Sequence, residues 1–121
     1  MNISESLKSI RQELDTPADV SDPDGVASKL VRLSSLEGLS VELIAETNKE
    51  YNVKLANLMV MPQYKSLSAT DKKLVFAGVA ANEIYNMQLA EGYNKEIHYQ
   101  IEGVRSLISK LKEEMKNSKF I

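Results

Sequence analysis

The chain has 121 residues, 15 basic against 17 acidic side chains, one histidine and no cysteine. That length supports one domain, and 43% apolar with 26% charged residues is the balance of a folded chain rather than a disordered one. The missing cysteines exclude disulfides, thiolate metal sites and a cysteine nucleophile. Glu5, Lys8 and Arg11 break any signal-peptide core, and no apolar run is long enough to span a bilayer. A cytoplasmic location with no membrane partner is expected.

Residues 1–15 read as a short amphipathic helix. Asn2 with Glu5 three residues on is a helix-start pattern, Ile3, Leu7, Ile10 and Leu14 share one face, and Pro17 stops the helix by forcing its predecessor out of helical geometry. Residues 16–25 hold two prolines, a glycine and three aspartates, and form the linker. The first helix is thereby free to dock on its own chain or on a neighbour's.

A long helix is expected over 26–60, started by Ser21 or Asp22 as cap with Pro23 in the first turn. Leu30, Leu33, Leu36, Leu43, Ile44, Tyr51, Leu55 and Leu58 recur at helical spacing, and Gly38 is the candidate break. Glu46 with Lys49 and Glu50 with Lys54 are expected as surface ion pairs. Residues 61–68 form the turn, since Pro62 cannot continue the hydrogen-bond ladder and Ser68 with Asp71 restarts a helix.

The last helix is expected over 69–116, about 70 Å long if unbroken, with Gly78, Gly92 and Gly103 as candidate bends. Its second half has a regular three-four seam: Met87, Ala90, Asn94, Ile97, Ile101, Val104, Ile108, Leu111 and Met115. Asn94, the polar member, either selects register and partner number or sits solvated where the seam splays. Two long helices joined by a short turn are antiparallel neighbours, and the first helix is too short to cover them. The fold expected is therefore all-α, a long coiled-coil-like helical hairpin with a short N-terminal helix, whose uncovered seam is closed by a second copy.

Charge points the same way. Residues 1–24 carry six acids against two bases, and residues 105–121 carry five bases against two acids. Opposite ends of the chain with opposite signs favour antiparallel or head-to-tail contacts between chains, although acids at helix starts and bases at helix ends also complement the macrodipole.

Chemistry is sparse. His98 flanks the seam and is expected to pack on or bond Glu102; Lys95 stands where the Glu of an E-x-x-H metal pair would be. Glu83 falls on the seam, where it pairs with a base on a facing helix or yields the inner position to Ile84. The stripe Phe76, Val79, Ala80, Ile84 and Met87 favours the second. No phosphate loop, carboxylate pair or nucleophile arrangement is recognisable, so neither an enzyme nor a cofactor or metal is expected.

Two surfaces suggest partners. Tyr85, Leu89, Tyr93 and Tyr99 lie on the face opposite the seam, alternating with Gly78 and Gly92, and form a candidate protein-binding face. Arg105, Lys110, Lys112, Lys116 and Lys119 form a candidate single-stranded nucleic-acid patch, interrupted by Glu113 and Glu114 and set in a chain of pI near 5.5.

The runs K-L-V-R-L-S-S-L-E-G-L-S-V-E-L-I-A-E (Lys29 to Glu46) and H-Y-Q-I-E-G-V-R-S-L-I-S-K-L-K-E-E-M-K (His98 to Lys116) resemble small helical proteins of tailed phages and prophages. That resemblance implies an accessory role beside a DNA-processing machine and assigns no residue a function. The expected function is a non-enzymatic accessory, adaptor or inhibitory protein acting through protein–protein contacts; weak binding of single-stranded nucleic acid is the alternative.

Overall fold

A computed structural model describes residues 1–118. Its elements are α1 (Ile3–Asp15), α2 (Pro23–Met59), a single 3-10 turn (Pro62–Tyr64), α3 (Ala69–Val79) and α4 (Ala81–Ser118). Among the described residues there is no strand. The fold is all-α, an antiparallel hairpin of α2 and α4 with α1 laid along one half of it.

Local sequence sets most boundaries. The Asn2 side chain accepts the Glu5 N–H at 3.0 Å and the Ser68 hydroxyl accepts the Asp71 N–H at 3.1 Å, so α1 and α3 begin on side-chain caps. At α2, Asp22 is the cap residue without a side-chain cap bond and Pro23 occupies the first helical position, where an amide proton would have no partner. Gly38 does not interrupt α2.

The helix expected over 69–116 is two helices. Ala80, at φ −95° and ψ 19°, leaves helical geometry; its N–H reaches the Phe76 carbonyl at 2.8 Å, and its own carbonyl accepts the Ile84 N–H at 3.0 Å to start α4. No proline marks this joint. Gly78, two residues earlier, is the weakest helix former nearby. The bend lets α3 bury Phe76, whose ring meets Tyr64 edge-on at 5.4 Å, while most of α3 stays in solvent.

Three cross-links set the hairpin register: Lys54 with Glu83, Ser40 with Asn94, and Glu37 with His98. As residue numbers rise on one helix they fall on the other, so α2 and α4 are antiparallel. α1 runs against α2 and along α4, because Glu13 meets Lys29 while Arg11 and Leu14 meet Glu96 and Gln100. Ile3, Leu7, Ile10 and Leu14 of α1 close a core with Leu33 and Leu43 of α2 and Ala90, Ile97 and Ile101 of α4. Burying each large member contributes about 1.5–3 kcal/mol before the entropy of ordering is set against it. At the other end Leu58, Phe76 and Ala80 are buried without help from α1.

Gly38 lies inside α2, and a Cβ built there meets nothing within 4 Å. Gly38→Ala should therefore stabilise the protein by about 0.5–1 kcal/mol, read as a raised denaturant midpoint at unchanged slope.

Candidate interaction site

Lys29, whose side chain is only 2% exposed, ties α2 to the end of α1. Its ammonium donates to the main-chain carbonyls of Glu13 and Thr16, the latter at 2.6 Å, and to the Glu13 carboxylate at 3.1 Å. All three protons are used. Gln100 of α4 donates to the Leu14 carbonyl at 3.0 Å, and the Thr16 hydroxyl donates back to the Gln12 carbonyl at 2.8 Å. The last carbonyls of a helix have no partner within it. Here those of α1 are taken up by side chains from both long helices, and the cation sits at the negative end of the α1 dipole.

Charge holds the same helix from its outer side. Arg11 bonds Asp15 and reaches Glu96 at 3.1 Å, with its guanidinium over the Tyr93 ring at 5.5 Å from the centroid. The hydrogen bond that Arg11 donates to Asp15, then that to Glu96, raises the Arg11 pKa further. The same bond holds the exposed Asp15 carboxyl below its ordinary range. For Glu13 burial pushes the pKa up, but the hydrogen bonds from Arg32 and Lys29 outweigh it and hold the carboxyl below its usual 4.5.

The seam read from the sequence is largely internal. Ala90, Ile97 and Ile101 are buried within the chain, Met87 and Val104 are half-buried, and so are Ile108 and Leu111 towards the end of α4. Asn94 is half-buried and bonded within the chain. Its amide donates to the Ser40 hydroxyl at 2.7 Å, and Ser40 in turn donates to the Glu37 carbonyl at 2.8 Å. α1 takes part of the tyrosine face: Leu89 and Tyr93 pack against the core, while Tyr85 and Tyr99 stand exposed, Tyr99 at 78%.

Other expectations shift partner. His98 faces Glu37 at 3.6 Å across the hairpin rather than Glu102, and Lys54 turns to Glu83 at 3.9 Å rather than to Glu50. Glu83 thus keeps a cross-helix partner, and Ile84 is half-buried beside it. Arg105, Lys110, Lys112 and Lys116 are exposed along the last turns of α4; Lys119 lies outside the described residues. The oppositely charged ends of the chain do not mark opposite ends of the molecule. Pro17 and Ala18 line a groove of about 370 Å³ with Tyr99, Gly103, Val104 and Leu107, so the acidic linker and the α4 C-terminal half share one end.

Apolar exposure gathers at the other end. Of fourteen large apolar side chains standing in solvent among the described residues, six fall within residues 59–79: Met59, Val60, Met61, Leu74, Val75 and Val79. Only Phe76 of α3 is buried. No group of three or more His, Cys, Asp or Glu side chains among the described residues is placed to hold a metal ion, and no helix among them is long and apolar enough to cross a membrane. Comparison with protein-family models, with curated proteins and with solved structures returned no match.

Sequence reasoning missed Lys29 and Gln100. The usable signal was the three-four run Val26, Lys29, Leu33, Leu36, Ser40, Leu43, Thr47, in which the three polar members are the three buried polar side chains among the described residues.

Lys29→Met should cost about 1–3 kcal/mol, because a buried cluster of acceptors loses its donor, and hydrogen exchange should rise in α1 before it rises in α2 or α4. Since the folded Glu13 pKa lies below its unfolded value, its share of stability is present above that value and is lost as pH falls through the folded one. Stability of Glu13→Gln should therefore fall less steeply than wild type as the pH is lowered below about 4.5, measured by urea unfolding at stepped pH.

Proposed function

We propose that the protein is a non-enzymatic helical accessory or adaptor protein that works through protein–protein contacts, homo-oligomeric in its working form and set in a phage- or prophage-type context. The observation that carries this reading is the apolar end built from the last turn of α2, the 3-10 turn and α3. An eleven-residue helix that buries one side chain and exposes Leu74, Val75 and Val79 contributes little to the fold of its own chain. Exposed apolar side chains gathered in one segment are characteristic of interaction surfaces.

The alternative, binding of single-stranded nucleic acid, is supported by the exposure of Arg105, Lys110, Lys112 and Lys116, which lie near Tyr99 in sequence on α4. Glu113 and Glu114, also exposed, weaken the field of that stretch.

Capture from the native host with the full chain as bait, followed by quantitative mass spectrometry, tests the first reading. Specific proteins should be enriched with the wild type and lost with Leu74→Glu, while Lys110→Glu/Lys112→Glu leaves them in place. Enrichment indifferent to Leu74→Glu would remove the apolar end as the working surface. Salt-sensitive binding to labelled single-stranded DNA that vanishes in Lys110→Glu/Lys112→Glu would favour the alternative.

A further inference from the structure

The apolar end also carries charge. Lys65 and Lys73 are exposed and Lys72 is half-buried around it, against Asp71 alone from residue 61 to residue 80. An occupant of this surface should therefore combine apolar side chains with acids. The chain itself carries both ingredients around the α2 N-terminus: Val20, 62% exposed, lies in sequence between exposed Asp19 and Asp22, and Val31, 66% exposed, shares a groove with exposed Asp24. Asp24, Ala27, Ser28, Val31 and Arg32 line a shallow groove on one side of the α2 N-terminus, and the Arg32 guanidinium is held by Glu13 at 2.8 Å.

These two complementary surfaces lie at opposite ends of α2, which spans 37 residues, or about 55 Å of straight helix. One chain cannot bring them together. We propose that the α3 end of one copy docks onto the acidic end of a second copy, head to tail, so that Leu74, Val75 and Val79 meet Val20 and Val31 while Lys72 and Lys73 meet Asp19 and Asp24. The inference rests on the reading of α3 as a docking surface and names its occupant.

The contact is heterologous, because two different patches meet, so nothing in it stops growth at two copies. A twofold contact of α3 on α3 would set lysines against lysines and leave the acidic end unused. Charge complementarity selects the head-to-tail arrangement over it.

Sedimentation of the full chain over a concentration series is the test. At low salt the weight-average mass should climb steadily above 13.5 kDa without a plateau at twice that value, and should fall back at about 0.5 M salt, where exposed charges are screened. Lys72→Glu/Lys73→Glu, with acids at both ends, should be monomeric alone; Asp19→Lys/Asp24→Lys, with bases at both ends, should be monomeric alone. An equimolar mixture of the two should associate, since each then meets its complement, and that recovery excludes misfolding as the cause of either loss.

Several results would overturn the proposal: a wild type that stays at 13.5 kDa throughout, a plateau at twice that mass, a mixture no larger than its components, or a monomer that instead pellets with phosphatidylserine vesicles. If sedimentation fails in one of these ways while Leu74-dependent capture from the host persists, the docking surface stands and only its occupant is wrong; if both fail, the reading of α3 falls with it.

Discussion

One buried ammonium decides where α1 goes. A lysine taken out of water is costly unless every proton finds an acceptor, and Lys29 finds its acceptors only at the C-terminus of α1. The helix end also gains from the cation, because the Glu13 carbonyl otherwise receives only the Thr16 N–H at 3.2 Å and the Thr16 carbonyl lies past the last turn of the helix. With that end fixed, Leu14, Ile10, Leu7 and Ile3 fall in turn over the α2–α4 interface and complete the larger core. Without it, the same four side chains would have an apolar face to seek and no fixed position along it.

The consequence is a molecule of two unlike halves. Where α1 lies, three helices share a continuous apolar core with charged clamps on its rim; beyond Ile3 the two long helices continue, with Leu58 of α2 buried, Phe76 of α3 and Ala80 of the α3–α4 joint buried with it, and the rest of α3 in solvent. Regions with few buried contacts open more readily than cores. The half that hides least of its own apolar surface is thus also the half with the fewest buried side chains to hold it.

Much of this was legible in the chain. Proline and cap signals act within a turn or two, so the starts and stops at Asn2, Pro17, Pro23, Pro62 and Ser68 are where local sterics put them. The three-four spacing of Ile3 to Leu14 and of Ala90 to Ile101 correctly marks faces that are buried. Spacing says that a face is covered and is silent about what covers it, which is why the seam from Ala90 to Ile101 is packed within the chain by α1 and α2 while Met115 at its far end stands exposed. The joint at Ala80 was legible only as one of three glycine candidates: the helix breaks two residues after Gly78 and runs on through Gly92 and Gly103, because glycine weakens a helix without dictating where it ends. Asn94, Glu83 and His98 each drew attention as anomalies on their own helix. Their partners, Ser40, Lys54 and Glu37, lie many residues away and follow from the hairpin register alone.

That register has a competitor. Ser40 and Thr47 are both buried hydroxyls one heptad apart on α2, each donating to a carbonyl three residues back and so each able to receive the amide of Asn94. Sliding α4 along α2 by seven residues, about 10 Å, would exchange one hydroxyl for the other but part Lys54 from Glu83 and Glu37 from His98. A third body also opposes the slip. α1 is gripped at one end by Lys29 of α2 and by Gln100 of α4 on neighbouring carbonyls, so it works as a gauge block between two rails, and a misaligned hairpin would have to let go of one of them.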